Sequence, residues 1–364
     1  MKRFAIALML LASPAIAGAQ QAVPEIPFDS APNFFKLPAD LNFGEDAGVA
    51  VNSKGHVFVY TRSNSATGSA YGGAASQLLE FDQTGKFVRE VGKNLYAWAF
   101  AHVVRVDKDD NIWAVDKGSD MIVKFNPDGH VTMVFGRKKE ASDDTAEPWK
   151  RVNPPLAPIN SQFRQPTDVA WNAAGDIFIS DGYINSRVAK FDKNGDWVKS
   201  FGEPGSGPGQ LNTPHSIATD ARGNVYVANR GNVRIEVFDS DGKYLRQIKL
   251  DVPVPADAHV AIGNQAAATA APGTMSPGAP WAVCITPGPN QVLYAADAYP
   301  GRIYKVSLDG KILGVLGKAG KQLKQFGWVH EIACPSENEL YVAEILNWRV
   351  QKLQLHPERA TATR

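Results

Sequence analysis

Three of the seven histidines in this 364-residue chain fall in matching contexts: Ala101-His102-Val-Val, Pro214-His215-Ser-Ile and Val329-His330-Glu-Ile. Each opens a short apolar stretch, and the steps between them are nearly equal. Three neutral imidazoles converging on a point suit Zn²⁺ or a similar borderline divalent ion, with one position left for water or substrate. The bland alternative is three satisfied core histidines, each holding neighbouring strands together. Packing alone gives no reason for one residue type to recur at such a step. His56 and His130 fall in turns, His259 in an Ala/Pro/Gly stretch and His356 near the C-terminus, so none joins the set.

A scaffold that positions such a set must return the chain to one place at fixed intervals, and the sequence repeats in that way. Gln165 to Phe238 holds two copies of one pattern end to end, and the pattern runs six times in all. Its clearest register is a second strand: Phe58-Val-Tyr-Thr61, Trp113-Ala-Val-Asp116, Phe178-Ile-Ser-Asp181, Tyr226-Val-Ala-Asn229, Tyr294-Ala-Ala-Asp297 and Tyr341-Val-Ala-Glu344. A third strand follows, then a Gly-containing hairpin turn such as Asp192-Lys-Asn-Gly-Asp, then an outer strand. Short alternating strands spaced by turns, with no useful helical periodicity, predict an all-β chain. Four strands in each of six units predict a six-bladed β-propeller over residues 42–358. The three histidines then occupy one position in alternate blades, where the other blades carry Ala47, Thr167 and Trp281. The last copy lacks an outer strand, which the proline-rich lead-in (20–41) is expected to supply. Insertions at about 137–161 and 251–280 interrupt the array, the second read as a mobile loop, and 359–364 form a tail.

Second strands run antiparallel to first strands, so residues just past the second strand share a rim with the histidines. Arg62, Tyr183 and Arg230 stand there. Two arginines beside a cation imply an anion between them, a substrate carboxylate being the simplest. A tyrosine near a metal and an arginine can serve as a base. For Lys117 and Tyr299, at the same register, bonding to a neighbouring loop is the simpler role.

Composition sets outer limits. Lys and Arg total 38 against 37 Asp and Glu, which gives no basic surplus for nucleic acid or anionic membrane. Lys2-Arg3, an apolar run from Phe4 to Ala12 and Ala17-Gly-Ala19 have the order of a secretory signal peptide ending at residue 19. The expected product is an exported, periplasmic or secreted monomer with no membrane span. Cys284 and Cys334 could pair in an oxidising compartment or remain two inert buried thiols.

With these residues in view, the chain resembles the peptidyl-α-hydroxyglycine α-amidating lyase family, the lyase half of the peptide-amidating monooxygenase, within the NHL-type six-bladed propellers. The likeness covers nearly the whole chain past residue 19 and is densest around His102, Tyr183 and His215 to Phe238. It implies a catalytic zinc on His102, His215 and His330, a catalytic Tyr183 following Ser-Asp-Gly, and active-site arginines Arg62 and Arg230. It also implies a structural calcium held partly by the carbonyls of Val49 and Val104, with Glu331 where the family has Asp. The chain departs from the family at Arg164 and Ile184, which replace disulfide cysteines, and at Trp328-Val329, where Met-Pro is preferred.

The reaction implied is N-dealkylation of a peptidyl α-hydroxyglycine to a peptide amide and glyoxylate. In it Tyr183 removes the α-hydroxyl proton, Arg62 stabilises the phenolate and Arg230 orients the carboxylate. Two other readings keep the propeller. One is a metal-dependent hydrolase or lyase on another small hydroxy-acid or lactone; the other is a non-catalytic NHL-type propeller binding a peptide, glycan or protein. Stoichiometric metal separates the last from the rest.

Overall fold

The structure is a computed structural model that describes residues 23–63, 76–138, 151–264 and 270–359. The expected signal peptide (1–19), the middle of the charged insertion, residues 265–269 of the second insertion and the end of the tail lie outside them.

Six four-stranded antiparallel sheets follow one another in chain order. Their innermost strands are Glu45–Val51, Ala101–Val106, Asp168–Trp171, Pro214–Thr219, Ala282–Ile285 and Val329–Ser336. Each sheet is a blade, and the first strands of successive blades face a common axis. In the sixth blade, Phe28–Ser30 pairs antiparallel with Arg349–Leu355, so the lead-in supplies the missing outer strand and closes the ring as expected. Helix is confined, among the described residues, to two single 3-10 turns.

The side-chain period of two explains why the blades stack. Along one strand, alternate residues serve opposite neighbours: Trp113 packs with Val169 and Ile179 of blade three, while Ala114 packs with Phe58 and Tyr60 of blade one. Each of the six blade-to-blade interfaces holds one apolar cluster among the described residues. Outer strands such as Trp197–Phe201 are half exposed. Cys284 and Cys334 form a disulfide between the innermost strands of blades five and six, which settles their pairing.

A repeated pin connects this scaffold to its rim. The residue near the end of each second strand accepts the backbone N–H of the segment that leads into the first strand. Gly44 donates to Thr61 (2.9 Å), Ala99 to Asp116 (2.9 Å) and Arg164 to Asp181 (2.9 Å). Asn212 donates to Asn229 (2.8 Å), Gly278 to Asp297 (2.9 Å) and Gly327 to Glu344 (2.7 Å). Four of the six acceptors, Asp116, Asp181, Asp297 and Glu344, are carboxylates, whose bonds are stronger than the neutral ones of Thr61 and Asn229. The pins therefore fix the rim just where Arg62, Lys117, Tyr183 and Arg230 leave the strands.

Candidate metal centre

Each histidine sits at an irregularity of its strand. Pairing of the first with the second strand shifts between Ala101 and Val103, between Pro214 and Ile217, and between Val329 and Glu331. A β-bulge leaves an extra residue outside the ladder and re-aims its side chain. Here the residues released are His102, His215 with Ser216, and His330.

The alternation of blades has a physical cause. His102 Nδ1 lies 2.5 Å from the carbonyl oxygen of Thr167, His215 Nδ1 2.6 Å from that of Trp281, and His330 Nδ1 2.7 Å from that of Ala47. These acceptors are the three residues that hold the histidine position in the intervening blades. A carbonyl can only accept, so each Nδ1 carries the proton and each Nε2 presents a lone pair. The three side chains are 0–2% exposed, and their ligand atoms lie within 4.8 Å of one another. Burial, then neighbouring positive charge, holds all three imidazoles well below the usual histidine range: His330, Arg62 and Lys117 act on His102, and Arg230 acts on His215. Neutral, oriented and convergent, the donor set fits a divalent transition metal.

Tyr183 stands over this set. Its hydroxyl is 3.2 Å from His215 Nε2 and 3.3 Å from His102 Nε2. Gly182 makes the approach possible: a Cβ there would lie 1.8 Å from the Pro214 carbonyl oxygen, beside His215. Burial raises the phenol, but Arg230, Lys117 and Arg62 outweigh it and hold Tyr183 below its ordinary value. Arg230 lowers it most; its guanidinium lies 5.6 Å from the Tyr183 ring and 4.3 Å from the Trp281 ring and is almost wholly buried, with Nε lacking a partner.

Arg62 is placed differently. It donates to Glu45 (2.7 Å) and to the Ala101 carbonyl (2.9 Å) and lies 3.9 Å from the Phe100 ring. It therefore acts on Tyr183 and the histidines through its field, partly offset by Glu45.

Two residues of the site carried no clear sequence signal. Lys117 Nζ lies 4.0 Å from the Tyr183 ring, at the same repeat position as Arg62 and Arg230; that shared register was the available clue. Arg151, in the first insertion, donates to the Tyr183 carbonyl (2.7 Å), Asn212 (3.0 Å) and Thr213 (2.5 Å). It ties the tyrosine loop to the strand of His215, and no repeat copy predicts it. At Arg164, one of the departures noted from the sequence, the side chain donates to Asn185 (3.0 Å).

The structure also brings Val49, Val104 and Glu331 together. The valines meet Glu331 Oε2 through their N–H groups, at 2.9 and 3.2 Å, and Arg105 Nε lies 3.0 Å from Oε1. Calcium takes six to eight oxygen ligands. Glu331 Oε2 already accepts two N–H groups, and the charged guanidinium of Arg105 stands beside Oε1 where a cation would have to sit, so these residues do not fit a calcium cage.

A six-bladed β-propeller with a three-histidine centre on its axis is the class this fold and site define. A family profile described as "6-bladed beta-propeller" matches residues 161–265. The Mus musculus protein named peptidyl-glycine alpha-amidating monooxygenase is 27% identical over 356 residues, 90% of this chain and 32% of its own length. Peptidyl-alpha-hydroxyglycine alpha-amidating lyase 1 of Drosophila melanogaster is 25% identical over 349 residues, 86% of this chain and 57% of that protein. The resemblance read from the sequence is borne out by these relatives, and the chain spans 26–32% of the length of the monooxygenases it matches. A solved streptogramin B lyase superposes with a TM-score of 0.54 at 14% identity, covering 91% of this chain and 98% of its own. That likeness is one of fold alone.

Proposed function

We propose that this protein is an exported, metal-dependent carbon–nitrogen lyase that cleaves a peptidyl α-hydroxyglycine to a peptide amide and glyoxylate. The observation that carries the reading is the position of one hydroxyl: Tyr183 meets the Nε2 atoms of two histidines, with the guanidinium of Arg230 5.6 Å from its ring. A zinc or similar ion held by His102, His215 and His330 would supply Lewis acidity toward the substrate's α-hydroxyl. Tyr183, acidified by Arg230, Lys117 and Arg62, acts as the phenolate and takes the hydroxyl proton. The oxygen's electron pair becomes the aldehyde carbonyl of glyoxylate, the C–N bond breaks, and the same phenol returns the proton to the amide nitrogen. Atoms balance with no redox partner.

Arg230 receives the terminal carboxylate, and its buried Nε is suited to a charge-assisted bond. Beside Ile184, a groove of about 320 Å³ lined by Arg151, Leu156, Pro204 and Asn212 offers room for the peptide portion. The Cys284–Cys334 disulfide fits the oxidising compartment that export implies.

Tyr183→Phe tests the assignment. The variant should keep its metal, measured by elemental analysis, and lose glyoxylate release by about 10²–10⁴-fold, the range for a positioned acid–base group. Wild-type turnover in a metal-loaded variant would remove the role given to Tyr183.

A further inference from the structure

Directly beneath the three histidines, the axis is crossed by a polar layer to which every blade contributes. Its centre is Arg105 of blade two. Its Nε and one terminal nitrogen donate to the two carboxylate oxygens of Asp168, in blade three, at 3.0 and 2.6 Å. The same terminal nitrogen reaches Ser216 Oγ of blade four (3.2 Å) and the Val283 carbonyl of blade five (3.3 Å). Glu331 of blade six lies 3.0 Å from Arg105 Nε. That N–H is directed at Asp168, so the Glu331 contact is an ion pair rather than a second hydrogen bond. Glu331 Oε2 accepts from Val49 of blade one and Val104 of blade two. Ser216 completes the layer by donating to Asp168 at 2.8 Å.

The layer is tightly built. Asp168 and Glu331 are fully buried and Ser216 nearly so. A methyl at Gly48 would lie 2.6 Å from the Val104 nitrogen and 2.9 Å from Glu331 Oε2, so the first strand of blade one approaches this layer as only glycine allows. Two carboxylates taken from water need a cation held in good geometry; the planar guanidinium holds Asp168 with two fixed donors, as a lysine could not, and sets its charge beside Glu331.

We propose that Arg105 is the axial cation of this propeller, doing with a side chain what a divalent ion such as calcium would otherwise do, and that it positions the metal centre above it. Ser216 and Glu331 directly follow His215 and His330, and Arg105 lies three residues beyond His102. Asp168 directly follows Thr167, whose carbonyl orients His102. The layer therefore fixes the height at which the imidazoles are held. The inference stands independently of the lyase reading, because its tests read stability and metal binding rather than turnover.

The experiment begins with the wild-type, zinc-loaded protein, titrated calorimetrically with calcium chloride and melted with and without millimolar calcium. No saturable heat and an unchanged melting temperature are expected. One-to-one calcium binding with a rise in melting temperature would overturn the proposal, and this arm needs no variant. Arg105→Ala should melt lower than wild type and bind zinc about 10–100-fold more weakly, the range for loss of a supporting residue. Calcium should restore part of both losses, which repair of a merely packed side chain would not do. An Arg105→Ala protein that folds with wild-type stability and zinc affinity would also overturn it.

Discussion

The Nδ1 atom of His330 in blade six and the carbonyl oxygen of Ala47 in blade one lie 2.7 Å apart across the seam where the ring closes. The contact ties the metal centre to closure of the fold, because the acceptor that orients the last ligand comes from the first blade. His330→Asn can keep a donor near the Nδ1 position while removing Nε2. The expected variant is folded, within about 1 kcal/mol of the metal-free wild type, the worth of one hydrogen bond. It should bind zinc too weakly to remain loaded after dialysis. Equilibrium dialysis with elemental analysis checks this, and full zinc occupancy would mean that His330 is not a ligand.

Arg230 is the cation best placed for a substrate carboxylate. Its Nε is buried and without a partner, and its guanidinium lies against Trp281 and Tyr183. Hydrogen bonds to charged groups contribute about 1.5–3 kcal/mol. Arg230→Met should therefore lower kcat/KM for an α-hydroxyglycine peptide by roughly 10–150-fold, at about 1.4 kcal/mol per decade. The loss should shrink when the carboxylate is replaced by an amide. Steady-state kinetics on the acid and amide substrates make the comparison, and equal losses on both would place Arg230 outside carboxylate recognition.

Asp297, the pin of blade five, gives a pH signature unrelated to turnover. Burial raises its carboxyl from 3.8 to about 6, against the lowering effect of the N–H groups of Arg302, Gly278 and Gly301 and of the Tyr304 hydroxyl. In that window the folded state holds a proton that the unfolded chain releases, so stability is full below pH 3.8 and falls as pH climbs through 6. At about 1.4 kcal/mol per unit the decline is of order 3 kcal/mol. Denaturant melts of wild type and Asp297→Asn across this range should show the decline in the first and its absence in the second. Parallel profiles would locate the titration elsewhere.

The fold was legible because its signal is periodic: the six second strands, from Thr61 to Glu344, align by eye, and each supplies the same pin. The ligands were legible for the same reason. The cause of their alternation was not, since the acceptors of His102, His215 and His330 are backbone carbonyls, which leave no mark on residue type. The Arg105 layer escaped because bulges shift the register. Asp168, Ser216 and Glu331 share the column one residue past the histidine position, but Arg105 stands three past it, so no column of the repeat joins the cation to its partners. Arg62 was read as the stabiliser of the phenolate; it lowers the Tyr183 phenol through its field while Glu45, a residue of its own blade outside any motif, holds its terminal nitrogen, and Arg230 acts on that phenol more strongly.

The central claim is that the three-histidine centre releases glyoxylate from an α-hydroxyglycine peptide. Glyoxylate should be measured with purified protein as isolated, after chelator treatment, and after return of zinc. The account predicts stoichiometric release of glyoxylate and peptide amide, its loss with chelator and its recovery with metal. A protein that holds stoichiometric metal on His102, His215 and His330 yet releases no glyoxylate from such a peptide would contradict it.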